Sequence, residues 1–140
     1  MNRSTRRACW SALVAGVLPI LAVNLAFWFN VQDGLAGCFP YIDGCWSVSR
    51  AVRDGPGLVV FKWLVLPTGL AMILTWWWLP LPLSGPWTVR LGIIGAVALL
   101  IYTVALGTDG EFYKWMRRYG VVFYFGCTGI AQLLVANRLW

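Results

Sequence analysis

The chain has 140 residues, of which 60% are hydrophobic and 11% are charged, with a formal net charge of +6. A soluble domain carries about 25% charged residues, so this composition indicates a membrane protein and excludes a disordered chain. The sequence contains no histidine, which excludes serine–histidine triads and histidine-ligated metal or haem sites. A positive charge on so apolar a chain favours contact with anionic lipid over nucleic acid.

Four long stretches carry no charge at all: Ala8 to Gln32, Trp63 to Val89, Leu91 to Thr108 and Tyr119 to Asn137. A bilayer span needs about 20 apolar residues, and a helix satisfies its own backbone groups within hydrocarbon. We therefore predict an all-α integral membrane protein, with one membrane domain over residues 1–140. Its four-transmembrane-helix bundle has spans near 9–29, 57–79, 88–108 and 119–138.

The spans carry a few residues that bear on packing. The first span is longer than a signal-peptide core, so we expect it to remain as an anchor. Pro19 and Pro67 lie mid-span, where each removes a backbone donor and favours a kink. Asn24 and Gln132 are polar residues within spans, and we expect them to face the bundle rather than lipid.

The connections between the spans are unequal. The first, about residues 30–56, is the longest, the second covers 79–87, and the third, 109–118, is rich in charge. Five arginines fall on the side of the chain termini and six basic residues on the other side, so the count alone slightly favours an outward N-terminus. A basic segment before the first span usually stays in the cytoplasm. We therefore expect both termini to be cytoplasmic, in the plasma membrane or, in a prokaryote, the inner membrane.

Cys38 and Cys45 lie seven residues apart in this first exterior loop. In an oxidising compartment they could close a small disulfide that stiffens the loop. The sequence leaves the free and the bonded state equally open.

All the acidic residues fall in or beside the first and third connections, together with six of the eleven basic ones. Such a set could clasp the phosphate of a lipid or glycolipid headgroup and orient its hydroxyl or amino groups. The simpler interpretation is that charged loops solvate the ends of a membrane protein. Lys62 stands out because it lies about one turn inside the second span, where an ammonium needs a partner. The candidate headgroup ligands are Arg50, Arg53, Lys62, Lys114, Arg117, Arg118, Asp43, Asp109 and Glu111.

The sequence offers little for catalysis. Neither a phosphate-binding glycine loop nor a nucleophile elbow nor a metal-ligand spacing is present. The acids could act as general bases, but no nucleophile is paired with one, so an enzyme is the less favoured reading. We predict no metal and no cofactor, membrane lipids as partners, and no nucleic-acid partner.

A short motif in the first loop consists of Pro40, Tyr41 and Ile42, with weaker matches at Ser47, Ser49 and Pro56. It resembles the first exterior loop of the Frag1/DRAM/Sfk1 family of multispanning membrane proteins. Asp43 stands where that family usually has serine, and family members usually continue for one or two further spans. The resemblance implies a short or partial member, with a role in membrane lipid handling.

Two functions remain open at this point. The first is recognition of a lipid or glycolipid headgroup through exterior loops one and three, in lipid handling or remodelling. The alternative is a small accessory subunit of a larger membrane complex, which would bury an apolar side face against other subunits.

Overall fold

The computed structural model describes residues 3–34, 42, 44, 47–80, 83 and 85–140. Within this part of the chain every regular element is a helix. Four helices are long and apolar enough to cross a membrane, as the sequence predicts. The elements in chain order are α1 (Arg3–Gln32), the short α2 (Val48–Ala51), α3 (Gly55–Trp77), α4 (Pro86–Ala105) and α5 (Glu111–Leu139).

The long helices form two pairs that are joined in the middle. Helix α1 packs along α3 and α4 packs along α5, while α3 and α4 contact each other. Of the most apolar part of each helix, 11% is buried in α1 and 17% in α5, against 39% in α3 and 50% in α4. The outer helices α1 and α5 therefore present most of their apolar surface to the surroundings.

Small residues permit the close approach of these helices. Ala22 and Ala26 of α1 are fully buried, as is Ala96 of α4. A side chain at Gly92 of α4 would overlap the indole of Trp76. Small residues at helix crossings are typical of membrane bundles because they bring the backbones together. The larger buried side chains then fill the centre: Val52, Phe61, Val65, Met72, Leu99, Tyr102 and Leu106.

The bundle has two chemically different ends. At one end, the Ser4 Oγ donates to the Trp78 carbonyl over 3.2 Å, and the Arg138 Nη1 donates to the Leu83 carbonyl over 3.3 Å. These contacts gather the start of α1, the α3–α4 connection and the end of α5, which we call the terminal end. The opposite end, called the loop end, carries α2 and the α4–α5 turn.

The third connection is shorter than the sequence indicates. Helix α5 begins at Glu111, so most of the predicted loop 109–118 is helical, and only Leu106–Gly110 separates α4 from α5. Gly107 and Gly110 adopt φ of 77° and 127° in this turn, a region that glycine reaches without strain. Glu111 in the first turn also favours a helix start. The charged residues of this segment therefore do not mark where the helix begins.

The prediction that Asn24 faces the bundle is wrong. Its side chain is exposed, and Nδ2 donates to the Ile20 carbonyl one turn earlier over 2.8 Å. Because the amide is satisfied on its own helix, it needs no partner from another one. Gln132 is also exposed, and it lines the rim of a cleft of about 350 Å³ between α1, α3 and α5.

Candidate functional site

The loop end is held together by the side-chain amide of Asn30. Its Nδ2 donates to the carbonyls of Ala51 and Asp54 over 2.7 and 2.9 Å, and its Oδ1 accepts the Gly57 N–H over 2.7 Å. The residue is 6% exposed. A buried amide with both donors and its acceptor engaged is a strong local constraint. It fixes α2 and the start of α3 against the end of α1.

Two glycines make this junction possible. Gly55 has a φ of 73°, and a Cβ on Gly57 would overlap the Ala26 carbonyl oxygen and the Asn30 amide. Pro56 stands between them in the first turn of α3, where its missing N–H costs no hydrogen bond. The segment Asp54-Gly-Pro-Gly thus starts α3 in direct contact with α1.

Two of the predicted ligands donate hydrogen bonds to backbone carbonyls at the end of α4. The Arg117 Nη1 donates to the carbonyls of Ala105 and Thr108 over 3.0 and 2.5 Å. The Lys62 Nζ lies 3.4 Å from the Val104 carbonyl and donates to it. The last carbonyls of a helix have no partners within it and carry partial negative charge. Both cations therefore have a structural role, and Val104 is the partner that the depth of Lys62 requires.

Four of the six predicted bases line one cleft of about 540 Å³ at the loop end: Arg53, Lys114, Arg117 and Arg118. Tyr102, Val121 and Val122 complete its lining. No acidic side chain of the described residues lines this basic cleft, so its electrostatic potential favours anions. Lys114, Arg117 and Arg118 come from the first turns of α5, and Arg53 comes from the segment that Asn30 holds.

A second cleft of about 560 Å³ adjoins the first through Arg53, which lines both. Its other charged lining residues are Asp33, Arg50 and Asp54. This mixed cleft offers carboxylates as hydrogen-bond acceptors next to the cations of the basic cleft. Together they can contact a ligand that carries both an anionic group and hydroxyl or ammonium groups.

The other predicted acids are placed differently. Glu111 and Lys114 form an ion pair of 2.6 Å. Both side chains are largely exposed, so water and salt weaken their attraction. Asp109 is exposed in the α4–α5 turn, and Asp43 lies outside the described residues.

The structure describes only part of the family-like loop motif. Ile42 is 81% exposed, and the Ser47 Oγ and carbonyl both accept from the Arg50 N–H at the start of α2. Pro40, Tyr41, Cys38, Cys45 and the side chain of Ser49 lie outside the described residues. The disulfide and the family resemblance therefore stay predictions.

Several residues of the site do not follow from sequence reasoning. Asn30 and the apolar wall of Val121 and Val122 escape the charge pattern. Asp33 and Asp54 belong to that pattern but are not among the predicted ligands. A signal for Asn30 does exist, because an amide at the end of a span can bond the backbone of the returning chain. Its partners are 21 to 27 residues away, and local patterns do not encode such distances.

No cluster of three metal-ligating side chains occurs among the residues described. The basic cleft holds guanidinium and ammonium groups, which can bind an anion, and one of them, Arg117, is bonded to the end of α4. No family model, curated protein or solved structure matches this chain.

Proposed function

We propose that this protein is an integral membrane protein that binds the phosphate of a lipid headgroup in the basic cleft and acts in membrane lipid handling. The observation that carries the proposal is the convergence of Arg53, Lys114, Arg117 and Arg118 on one cleft lined by no described acid. Guanidinium and ammonium groups are the usual protein ligands of phosphate.

The position of the cleft supports a lipid over a soluble anion. Three of its four cations lie on the first turns of α5, and the wall continues along that helix into Val121 and Val122. Val122 is 61% exposed on the outer surface of α5. A headgroup bound by the arginines would thus leave its acyl chains against an apolar helix face.

The four cations would have different roles in binding the headgroup. Arg117 is anchored by the carbonyls at the end of α4 and would present its remaining N–H groups at low entropic cost. Arg53 and Arg118 are exposed and would close on the phosphate. Asp33 and Asp54 in the mixed cleft would accept hydrogen bonds from headgroup hydroxyl or ammonium groups.

The proposal is tested with the double variant Arg53→Gln/Arg118→Gln and phosphatidylglycerol added to the delipidated protein in mild detergent. Native mass spectrometry gives the apparent Kd of each bound lipid. Loss of two charged contacts should weaken the loop-end site by about tenfold or more. Phosphatidylcholine serves as the comparison lipid, and rising salt should reduce phosphatidylglycerol binding.

The control removes two positive charges from the other end of the bundle, by Arg3→Gln/Arg90→Gln. It has the same net charge as the test variant, so a general electrostatic effect would weaken lipid binding equally in the two variants. Equal binding by parent and test variant, or no binding by the parent, would contradict the proposal.

We also propose that both termini face the cytoplasm, in the plasma membrane or the bacterial inner membrane. This orientation follows the basic start of α1 and would place the basic cleft on the outer side. Cysteine labelling checks it: Asp109→Cys should react with an impermeant maleimide in intact cells and Ser4→Cys should not, in a background where the native cysteines are serine.

The accessory-subunit alternative has one observation in its favour. The cleft of about 350 Å³ between α1, α3 and α5 is lined by polar side chains within the spans, including Tyr124 and Gln132. Lipid tails offer these groups no hydrogen bonds, whereas a partner helix could. A photocrosslinker at Gln132 should then capture a protein, and crosslinks to lipid alone would contradict this alternative.

A further inference from the structure

The terminal end has a cleft of its own, which the proposed function does not use. It has a volume of about 680 Å³ and lies between the start of α1 and the end of α3. Two arginines stand at its mouth, and an apolar wall runs below them. The lining includes Arg6, Arg7, Trp10, Val14, Leu74 and Trp78.

One of the two arginines is held in place. The Arg7 guanidinium lies over the Trp78 ring, 5.8 Å from its centroid, and this cation–π contact restrains the side chain. Trp78 is in turn tied to α1 because the Ser4 Oγ donates to its carbonyl. The guanidinium is thereby presented at the cleft mouth while its N–H groups keep their hydrogen-bonding capacity.

The described side-chain charges at this end are all positive. The four acidic residues that the structure describes all lie at the loop end: Asp33, Asp54, Asp109 and Glu111. The five arginines at the terminal end therefore have no described side-chain carboxylate near them. Arg138 is bound to the Leu83 carbonyl and Arg90 lies over Trp87. Arg6 and Arg7 are the two that line the cleft.

The wall below the arginines is apolar and open to the side. Val14 and Leu74 are both exposed on the outer surface of their helices, and Val14 lies about 10 Å deeper than Arg7 at 1.5 Å per residue. Trp10 stands between these depths and is 64% exposed. The cleft thus has cationic groups above, an aromatic ring between and an aliphatic surface below, which complement the phosphate, the interfacial region and the acyl chain of an anionic phospholipid.

We propose that this cleft binds an anionic phospholipid of the leaflet at the terminal end, with its phosphate on Arg6 and Arg7 and one acyl chain along Val14 and Leu74. The protein then holds anionic lipids at both ends of the bundle, in opposite leaflets. The apolar wall decides for a lipid over free phosphate, since a soluble anion gains nothing from it. This second site is independent of the basic cleft and can exist without it.

The test compares Arg6→Gln/Arg7→Gln with Arg3→Gln/Arg90→Gln, a pair with equal charge loss at the same end but outside the cleft. Native mass spectrometry in mild detergent measures the apparent Kd of phosphatidylglycerol, and circular dichroism confirms that both variants remain helical. The first variant should bind the terminal-end lipid about tenfold more weakly or worse. The second should bind like the parent, and Arg6→Lys/Arg7→Lys should retain part of the affinity.

Two further arms identify the ligand and separate the two sites. Trp78→Leu removes the cation–π contact and should weaken binding by about two- to fivefold. Glycerol 3-phosphate should not displace the lipid; displacement at equal concentration would mean that phosphate alone is recognised and would overturn the lipid assignment. Arg53→Gln/Arg118→Gln should leave this site unchanged. Unaltered binding by Arg6→Gln/Arg7→Gln, or an equal loss in the charge-matched control, overturns the proposal.

Discussion

The Oδ1 of Asn30 lies 2.7 Å from the backbone nitrogen of Gly57 and accepts its hydrogen bond. This one contact joins the last turn of α1 to the first turn of α3, across a connection of more than twenty residues. It requires a glycine, since any side chain at Gly57 would strike the Ala26 carbonyl. The position of Arg53, and with it the basic cleft, depends on this junction.

Replacement of Asn30 should therefore destabilise the whole loop end. Asn30→Ala leaves two carbonyls and one N–H without their partner, and we expect the free energy of unfolding to fall by roughly 3 kcal/mol. Asn30→Asp is nearly the same shape but exchanges the two donors for acceptors that face carbonyl oxygens, so it should not restore stability. Thermal unfolding in detergent, followed by circular dichroism, measures both.

Asn24 provides the control for this prediction. It lies on the same helix, but it is exposed and bonds only the Ile20 carbonyl of its own helix. Asn24→Ala should leave the unfolding temperature nearly unchanged. A similar loss in both alanine variants would mean that the Asn30 junction is no more than an ordinary polar site.

Substitution of Gly57 should separate the two tightly packed backbones. In Gly57→Ala the new methyl group meets the backbone carbonyl of Ala26, which cannot move without shifting α1. We expect a loss of about 1–3 kcal/mol in unfolding free energy. Gly16→Ala is the matched control, since a Cβ there meets nothing within 4 Å and alanine favours a helix by up to about 1 kcal/mol. Equal unfolding temperatures for the two variants would refute the prediction.

The number of membrane-length helices and the grouping of charges at two ends follow from the sequence because each has a local cause. An uncharged stretch long enough for a bilayer gives a helix, and charges collect where these stretches end. The placement of Arg53 and Arg118 at the same end of the bundle then follows from the up-and-down order of the spans. These features need no knowledge of individual contacts.

The roles of particular side chains could not be predicted in the same way. Arg117 looks like a free cation in the sequence, and the depth of Lys62 calls for a partner without indicating which one. The end of α4 supplies carbonyls that bind both. Asn24 and Asn30 look alike, but only Asn30 meets a returning segment with unpaired backbone groups. Such roles depend on partners far along the chain, which no local pattern specifies.

Arg117 and Arg118 are neighbours, but their substitution should have different consequences. Arg117→Met removes two hydrogen bonds to the end of α4, so it should lower the unfolding free energy by about 1–2 kcal/mol after allowance for partial exposure. Arg118 is exposed, and Arg118→Met should weaken phosphatidylglycerol binding without a change in stability. Unfolding curves and lipid titrations on the same preparations separate the two effects. Equal stability of the two variants would contradict the capping role of Arg117.

Gly95 and Thr128 should behave as a coupled pair across the α4–α5 interface. A Cβ on Gly95 would overlap the Thr128 Oγ1, a buried atom with no hydrogen-bond partner among the described residues. Gly95→Ala should thus be clearly destabilising, while Thr128→Ala alone should cost little because no hydrogen bond is lost. The double variant should be more stable than the sum of the two changes by about 0.5–3 kcal/mol. Thr128→Ser keeps the Oγ atom and should give no such rescue; additivity in both combinations would contradict the contact.

Removal of the carboxylate of Glu111 should strengthen anion binding at the basic cleft. Glu111 accepts from Lys114 over 2.6 Å, which competes with a phosphate for the same ammonium. Glu111→Gln should therefore lower the apparent Kd for phosphatidylglycerol by about two- to threefold at low salt. Asp109→Asn makes the same charge change in the neighbouring turn, where the carboxylate is exposed and lines no part of the cleft. We expect the gain in phosphatidylglycerol affinity to occur only in Glu111→Gln. The gain should fade as salt rises, because screening weakens exposed ion pairs first. Equal gains in both variants would show that net charge, and not the release of Lys114, controls binding.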